Sequence, residues 1–323
     1  MKITIDEIAR VSGVSKGTVS RVINGKTTVA AATREKVLEV MNSLGFVPDP
    51  AARELSMRSK HTIGISIGQR DSRISPYFAL IWRALARETQ ELGIQFIELH
   101  EDLPSYIRLP NAVLLFSAQH THKRLDYLKS QNIPAVVIGH EPGHAFVVPD
   151  DHRGGQLAAE HLISLGHQQF AFLGTRIPSQ AAEDRRNGFV DTLQKAGFSV
   201  QDEHDLEGHF NTLDAYRAIR KAWEAGHRFT ALFAASDEMA LGAIGALQDL
   251  DVQVPQQVSV VGFDGFPFPN TQLTTILQDI SRIAHAAVQL ALSGIEGEDP
   301  QGVYVPVQLQ KGATTAAPPD VSH

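Results

Sequence analysis

The chain has 323 residues, 43% of them apolar, a formal net charge of -7 and no cysteine. That length exceeds what a single hydrophobic core serves, and the lack of cysteine excludes disulfides, thiol catalysis and thiolate metal sites. No run of about 18 apolar residues offers a membrane span, and "MKITIDEIAR" carries acids where a signal peptide needs an apolar stretch, so a cytoplasmic location without membrane contact is expected.

Charge is unevenly spread: residues 1 to 60 hold ten Lys or Arg against six Asp or Glu, a balance of +4, and the rest hold 19 against 30, or -11. A basic head on an acidic body suits a chain whose head alone meets phosphate. In the head, Thr4 with Glu7 reads as a capping box, followed by Ile5, Ile8 and Val11 on one helical face. Gly13 makes the tight turn that ends this helix. Ser15 caps a second helix whose Val19, Val22 and Ile23 face the first; small Ala9 leaves room for the crossing, and Asn24 and Gly25 stop it. Two helices so joined form a helix-turn-helix. A third helix is predicted from Thr33 to Leu44, burying Val37, Val40, Met41 and Leu44, with Gly45 as its C-cap. Lys16, Gly17, Ser20 and Arg21 then point from the second helix toward a major groove, while the hydroxyls of Ser15, Thr18 and Ser20 reach phosphates.

From His61 onward the apolar runs "TIGISI", "IQFIEL", "AVLLF", "AVVI", "FAFLG", "ALFAA" and "VSVVGFD" read as buried strands. They alternate with helical patterns from Pro76 to Leu92, Asp151 to Leu165, Arg185 to Ala196 and Glu238 to Leu250. Such alternation means parallel sheets flanked by helices. Two lobes of this α/β kind bind ligands at the strand carboxyl ends, in the cleft between them.

The head, with V-S-x-x-T-V-S-R-V-x-N running from Val14 to Asn24, resembles the DNA-binding head of the LacI/GalR family of transcriptional regulators. The resemblance extends through "AAEHLISLGHQQFAFLGT", "RRNGF", "FAASDEMALGAIGAL", "VPQQVSVVGFD" and "LTTILQD", so it covers nearly the whole chain. It implies a three-helix head at 1–47, a hinge helix at 48–60 and a bilobed core like a periplasmic binding protein at 61–315. The N-lobe is expected at about 61–149 plus 278–306, the C-lobe at about 150–277 plus 307–315, and a disordered tail at 316–323.

By the same resemblance Lys16, Gly17 and Arg21 take base-reading positions, with Thr4, Ser15, Thr18, Ser20, Asn24, Ala52 and Leu55 as further DNA contacts. A bidentate Arg or Lys to guanine carries about 1 to 3 kcal/mol of discrimination. Gly17 offers no side chain and costs about 1 kcal/mol inside a helix relative to alanine; it either permits close backbone approach or reads nothing. Leu55 matches a leucine wedged into the minor groove, where unstacking costs a few kcal/mol that bending must offset.

For the cleft, the resemblance implies Arg185 on sugar hydroxyls or a carboxylate, Asp264 as an acidic contact, Phe210 as an aromatic wall and Gln278 near the lobe crossover; Phe78 and Ser236 complete the set. The chain departs from common family patterns at Ser236-Asp237, where Asn-Asp is frequent, at Gly139, and at Gly265 after Asp264. The segment "ELHEDLPSYIRLPNAVLLFS" leaves little room for a helix between two strands, and with "SPYFALIWRALA" it resembles the branch that regulates β-galactoside genes. The N-lobe side of the cleft includes Asp71 and Arg73.

Three motifs point elsewhere and fail on context. "HEPGH" at 140–144 has zincin spacing, but Pro142 and Gly143 forbid the helix that would align its histidines. "NGKT" at 24–27 lacks the first P-loop glycine, Ser20 standing there, and "GG" at 154–155 lacks the spaced glycines of a dinucleotide site. No metal and no cofactor is expected, nor is "HTH" at 120–122 expected to be a ligand pair.

The expected function is a ligand-controlled transcription factor, a repressor that binds double-stranded operator DNA and a small-molecule effector, a sugar first, with a galactoside or other disaccharide among the candidates. A purine or other non-sugar effector, or an activator, keeps the same architecture. A sugar-handling enzyme or solute-binding protein is the rival class; it lacks a poised acid and base, a phosphate cradle and an export signal. No heptad run follows "VYVPVQLQKGATTA", so a homodimer rather than a tetramer is expected.

Overall fold

The computed structural model describes residues 4–23, 30–44, 61–68, 76–116, 121–176, 179–268 and 272–319, with some head residues described by backbone alone. The chain divides into a head unit and a body unit.

The head holds α1 (Ile5–Ser12), α2 (Lys16–Ile23) and α3 (Ala31–Ser43). Gly13 ends α1 at φ 68, the left-handed conformation that glycine adopts without penalty. Ser15 caps α2 as expected, its Oγ accepting from Thr18 N at 3.1 Å. Two expectations for α1 are corrected. Thr4 stands at the N-cap without a side-chain bond; its carbonyl oxygen accepts from Glu7 N at 3.1 Å, so the capping box does not form. Val11 is 48% exposed, because the buried edge of α1 runs through Ile8, Ala9 and Ser12. Ser12 tolerates burial by donating to the Ile8 carbonyl at 2.6 Å. Val19, Val22, Val37 and Met41 complete this small core. Asn24, Gly25 and Gly45 lie outside the described residues.

The body begins with β1 (Thr62–Ile67), α4 (Pro76–Glu91), β2 (Gln95–Leu99), β3 (Ala112–Phe116), α5 (Thr121–Ser130), β4 (Ala135–Ile138) and β5 (Ala145–Pro149). It continues with α6 (Asp151–Ser164), β6 (Phe170–Gly174), α7 (Gln180–Lys195), β7 (Val200–Glu207), α8 (Thr212–Glu224), β8 (Ala231–Ala234), α9 (Asp237–Asp249) and β9 (Ser259–Asp264). The closing elements are β10 (Thr274–Gln278), α10 (Ile280–Ile295), β11 (Gly302–Val305) and β12 (Val307–Gln310). The short link between β2 and β3 holds a single 3-10 turn, Leu103–Ser105, where a helix had no room.

Two six-stranded sheets result, ordered β11-β5-β4-β3-β1-β2 and β12-β10-β9-β8-β6-β7. Registered pairs are parallel except β10 with β12. Strands covered on both faces must be apolar throughout, and β3, β5, β6, β8 and β9 are buried at every position. The chain passes between lobes after β5, after β10 and after β11. Asp150, in the first crossing, donates its amide to the Val305 carbonyl of the third at 2.9 Å. Asp150 and Asp279 cap the helices that leave two crossings, accepting from Arg153 N at 3.0 Å and Arg282 N at 2.9 Å.

Of the tail expected to be disordered over 316–323, the first residues are ordered, while 320–323 lie outside the described residues. Ala316 donates to Ser259 Oγ at 3.0 Å, and its carbonyl lies 3.0 Å from His167 Nε2. Thr314 just before it donates to the Val260 carbonyl at 2.7 Å. Val260 also donates its amide to the Thr314 carbonyl at 2.8 Å, so the strap gives partners to backbone groups at the starts of the interior strands β9 and β10.

Candidate functional site

On the head, Ser15, Lys16 and Gly17 are exposed, Thr18 is half-buried and Thr4 is exposed. Ser15 Oγ and Thr18 Oγ1 lie 2.9 Å apart, two hydroxyls at the amino end of α2 where helix amides favour an anion. Ser20 and Arg21 fall within the backbone of α2; Asn24, Ala52, Leu55, Asp71 and Arg73 lie outside the residues or side chains described.

In the body, the carboxyl ends of β4, β5, β8 and β9 meet α6 and α7 around Arg185. Gly155 and Gly188 explain how α6 and α7 come so close: a Cβ on Gly155 would strike the Arg185 carbonyl oxygen, and one on Gly188 the His152 carbonyl oxygen. The approach sets Arg185 Nε 2.7 Å from Asp151 Oδ1, while Nη1 donates to the Ala235 carbonyl at 2.6 Å and lies 3.7 Å from Asp264 Oδ1. The guanidinium carbon sits 3.6 Å from the Phe263 ring centroid, a cation over an aromatic face. Gln278 Nε2 donates to Asp264 Oδ1 at 2.7 Å. Asp264 itself has φ 129, a strained value that its side-chain bonds hold in place.

The electrostatics follow from burial. Removal from water pushes the Asp151 carboxyl up to about 6 despite Arg185 and pushes Asp264 well above the ordinary carboxylate range. Burial opposes the charge of Arg185, yet Asp151 and Asp264 together raise its pKa. Tyr77 of α4 is raised too, by desolvation first and by the Asp264 carboxylate second. Among the described residues, Asp151 Oδ2 and Gln278 Oε1 are buried acceptors without a hydrogen-bond partner.

A cavity of about 200 Å³ opens here, lined by Tyr77, Phe116, Glu141, Asp151, Gln180 and Arg185 among others. The expected cleft residues do not all join it. Phe78 turns into the N-lobe core, its ring 5.2 Å from Phe116 and 5.9 Å from Trp82, so its neighbour Tyr77 takes the wall. Ser236 is committed to capping α9, accepting from Met239 N at 3.2 Å. Phe210 is half-buried at φ 53 and packs on the C-lobe core. Asp237 holds the turn after β9, accepting from Gly265 N and Phe266 N at 2.8 Å and from Thr275 Oγ1 at 2.6 Å. Sequence reasoning missed Asp151, Tyr77, Glu141 and Gln180. The doubled acid "DD" was the one usable signal, since Asp150 alone suffices as the cap.

His140 and His144 sit in a turn between β4 and β5 with no helix to align them, and His140 Nε2 bonds Tyr304 OH at 2.9 Å. Among the described residues no group of three His, Cys, Asp or Glu is placed to hold a metal, and no helix is long and apolar enough to cross a membrane.

Residues 4–49 match the family described as bacterial regulatory proteins, lacI family, and residues 159–315 match the periplasmic binding protein-like domain. The chain is 31% identical over 310 residues to the HTH-type transcriptional repressor PurR of Pasteurella multocida, covering 90% of this chain and 92% of that one. The chain belongs to the LacI family. It is a DNA-binding repressor of that family, whose matched members regulate transcription and are not enzymes. The PurR repressor of Haemophilus influenzae (strain Rd) is also 31% identical, over 92% of each chain. Among solved structures, a transcriptional regulator CelR-cellobiose complex superposes with TM-score 0.73 at 26% identity, covering 97% of this LacI-family chain and 99% of that one. The lac repressor dimer bound to operator and the anti-inducer ONPF superposes with TM-score 0.70 at 26% identity, over 98% and 100%.

Proposed function

We propose that this LacI-family repressor senses a small neutral molecule, a sugar in the first instance, between its lobes, and that binding shifts its grip on operator DNA. The observation that carries this reading is the cavity beside Arg185, with Asp151 and Asp264 on either side of the guanidinium, where the two sheets present their carboxyl ends. Planar polar groups of that kind take paired hydroxyls, and the similar regulator that carries cellobiose supports the choice of sugar. A purine-type ring is the second reading, favoured by the PurR relatives and by the same pairing of donor and acceptors.

The proposed division is a head at 1–47, a hinge at 48–60 and a sensor body at 61–315, working in the cytoplasm as a homodimer on a near-palindromic operator. Lys16 and Arg21 would read bases, Thr4, Ser15, Thr18, Ser20 and Asn24 would meet the backbone, and Ala52 and Leu55 would enter the minor groove; Gly17 leaves one position unread. An effector that favours one lobe arrangement alters operator affinity by its differential affinity for the two, typically about 1 to 3 kcal/mol. Footprinting on DNA upstream of the gene, with and without a panel of sugars and purines, tests both halves: a protected palindrome whose occupancy a sugar changes is expected. Protection that no compound alters removes the sensing half, and no protection at moderate salt removes both.

A further inference from the structure

Asp151 is more than a brace for Arg185. It is 3% exposed, it lines the cleft cavity, and only its Oδ1 is used, on Arg185 Nε at 2.7 Å. Oδ2 has no partner among the described residues. Asp151 stands in the cavity wall, and its unused buried oxygen is completed when a ligand filling that cavity brings it a donor. Arg185 spends Nε and Nη1 on protein acceptors, which leaves the Nη2 edge beside Asp151 for an incoming acceptor.

Charge narrows the choice of ligand. Among the described residues that line the cavity, Arg185 is the one arginine or lysine, and it already faces Asp151 at 2.7 Å and Asp264 at 3.7 Å. Glu141 adds a further acid to the wall. An anionic ligand would bring another negative charge to a guanidinium whose charge is already met, in surroundings that screen poorly. A hydroxyl or ring N–H suits the site, since it donates to Oδ2, and a neighbouring oxygen can accept from Nη2.

We propose that Asp151 is a specificity-determining residue, which selects an uncharged ligand bearing adjacent donor and acceptor groups over its carboxylate or phosphate analogues. This rests on the cleft being the effector site. Burial pushes the Asp151 carboxyl up to about 6, so it is ionised at pH 7.5 and repels anions there.

Calorimetric titration of the full chain at pH 7.5 tests this with matched pairs: glucose and glucose 6-phosphate, galactose and galacturonate, ribose and ribose 5-phosphate, and cellobiose and cellobionate, with hypoxanthine as a neutral ring. At least one neutral member is expected to bind, with any acidic counterpart at least tenfold weaker. Asp151→Asn keeps an acceptor for Arg185 but turns the other atom into a donor. It is expected to weaken the neutral ligand tenfold or more and to narrow the gap to its anion. Tighter binding of any anion than of its neutral counterpart overturns the proposal, as does an unchanged gap in a variant that melts normally. If that variant does not fold, the gap in the unmodified protein decides. No binding by any probe in protein that still binds its operator overturns the ligand class alone, whereas loss of operator binding as well removes the regulator reading beneath it.

Discussion

Arg185 Nε and Asp151 Oδ1 meet at 2.7 Å one helical turn from Gly188 and Gly155, the residues at which α7 and α6 touch. Backbone contact there sets the geometry of the site. Gly155→Ala or Gly188→Ala must push the helices apart, because the atoms in the way are carbonyl oxygens that cannot rotate aside. Each is expected to cost about 1 to 3 kcal/mol and to reduce effector response even where the fold survives. Melting temperature read beside the ligand-dependent change in operator affinity checks this; a variant with wild-type values of both would show that the approach is unnecessary.

Removing Arg185 has a different signature. Arg185→Ala leaves two buried carboxylates without their cation, which is expected to cost about 3 to 5 kcal/mol. Arg185→Lys restores charge without the planar fork and is expected to recover stability more than response. Operator affinity without effector should stay near that of the parent in both. Gel-shift titrations with and without effector separate the outcomes, and a normal response in Arg185→Ala removes this residue from the site.

Stability should depend on pH through His167, whose Nδ1 lies 2.9 Å from Thr230 Oγ1 and whose Nε2 lies 3.0 Å from both Ser259 Oγ and the Ala316 carbonyl. Burial lowers its pKa below the ordinary 6.5. The unfolded chain therefore takes up the proton first, so stability falls as pH drops through about 6.5. Asp151 works the other way: its pKa rises from 3.8 to about 6, so its contribution is present at low pH and lost as pH rises through that window. Melting curves from pH 7.5 to 5 should show a shallower acid loss in His167→Gln and a steeper one in Asp151→Asn. Parallel slopes for all three proteins would discount both groups.

In the head, Ser15 is both the cap of α2 and the partner of Thr18. Ser15→Ala is expected to cost about 1 kcal/mol and to weaken binding to all sequences alike. A change at Lys16 should alter preference at particular base pairs instead. Binding arrays scored across sequence variants distinguish the two, and a uniform loss on changing Lys16 would mark it as a phosphate contact.

The sheets were legible because a strand covered on both faces leaves an uninterrupted apolar run, as "AVLLF" and "FAFLG" do. The helices α5, α8 and α10 went unread. α5 is mostly polar and shows little contrast between its faces; α8 and α10 do carry a buried apolar face, through Ala215, Ile219 and Ala222 and through Ile283, Ala287 and Val288, so their periodicity was present and went unused. Arg185, Asp264 and Gln278, named for the cleft from the resemblance, are neighbours in the fold, though Asp264 and Gln278 do not line the cavity. Phe78 is not among them, since a one-residue step along α4 decides which ring meets the cleft, and spacing alone does not resolve that step. Asp151 was missed because its partner lies 34 positions away, across a helix contact that two glycines make possible.

Strands β11 and β12 carry a consequence for how the molecule is made. Each completes a different sheet, yet they adjoin in the chain after residue 301, and the strap at 312–316 closes beneath the second sheet later still. The head is continuous from 4 to 44 and can consolidate early on the ribosome. Neither lobe can finish until the same late stretch emerges, so the two mature in one step. Ribosome-held chains stopped before residue 300 are expected to show a protease-resistant head and two sensitive lobes; a resistant N-lobe at that length would separate their folding. Sensing therefore arrives whole, after the part that grips DNA.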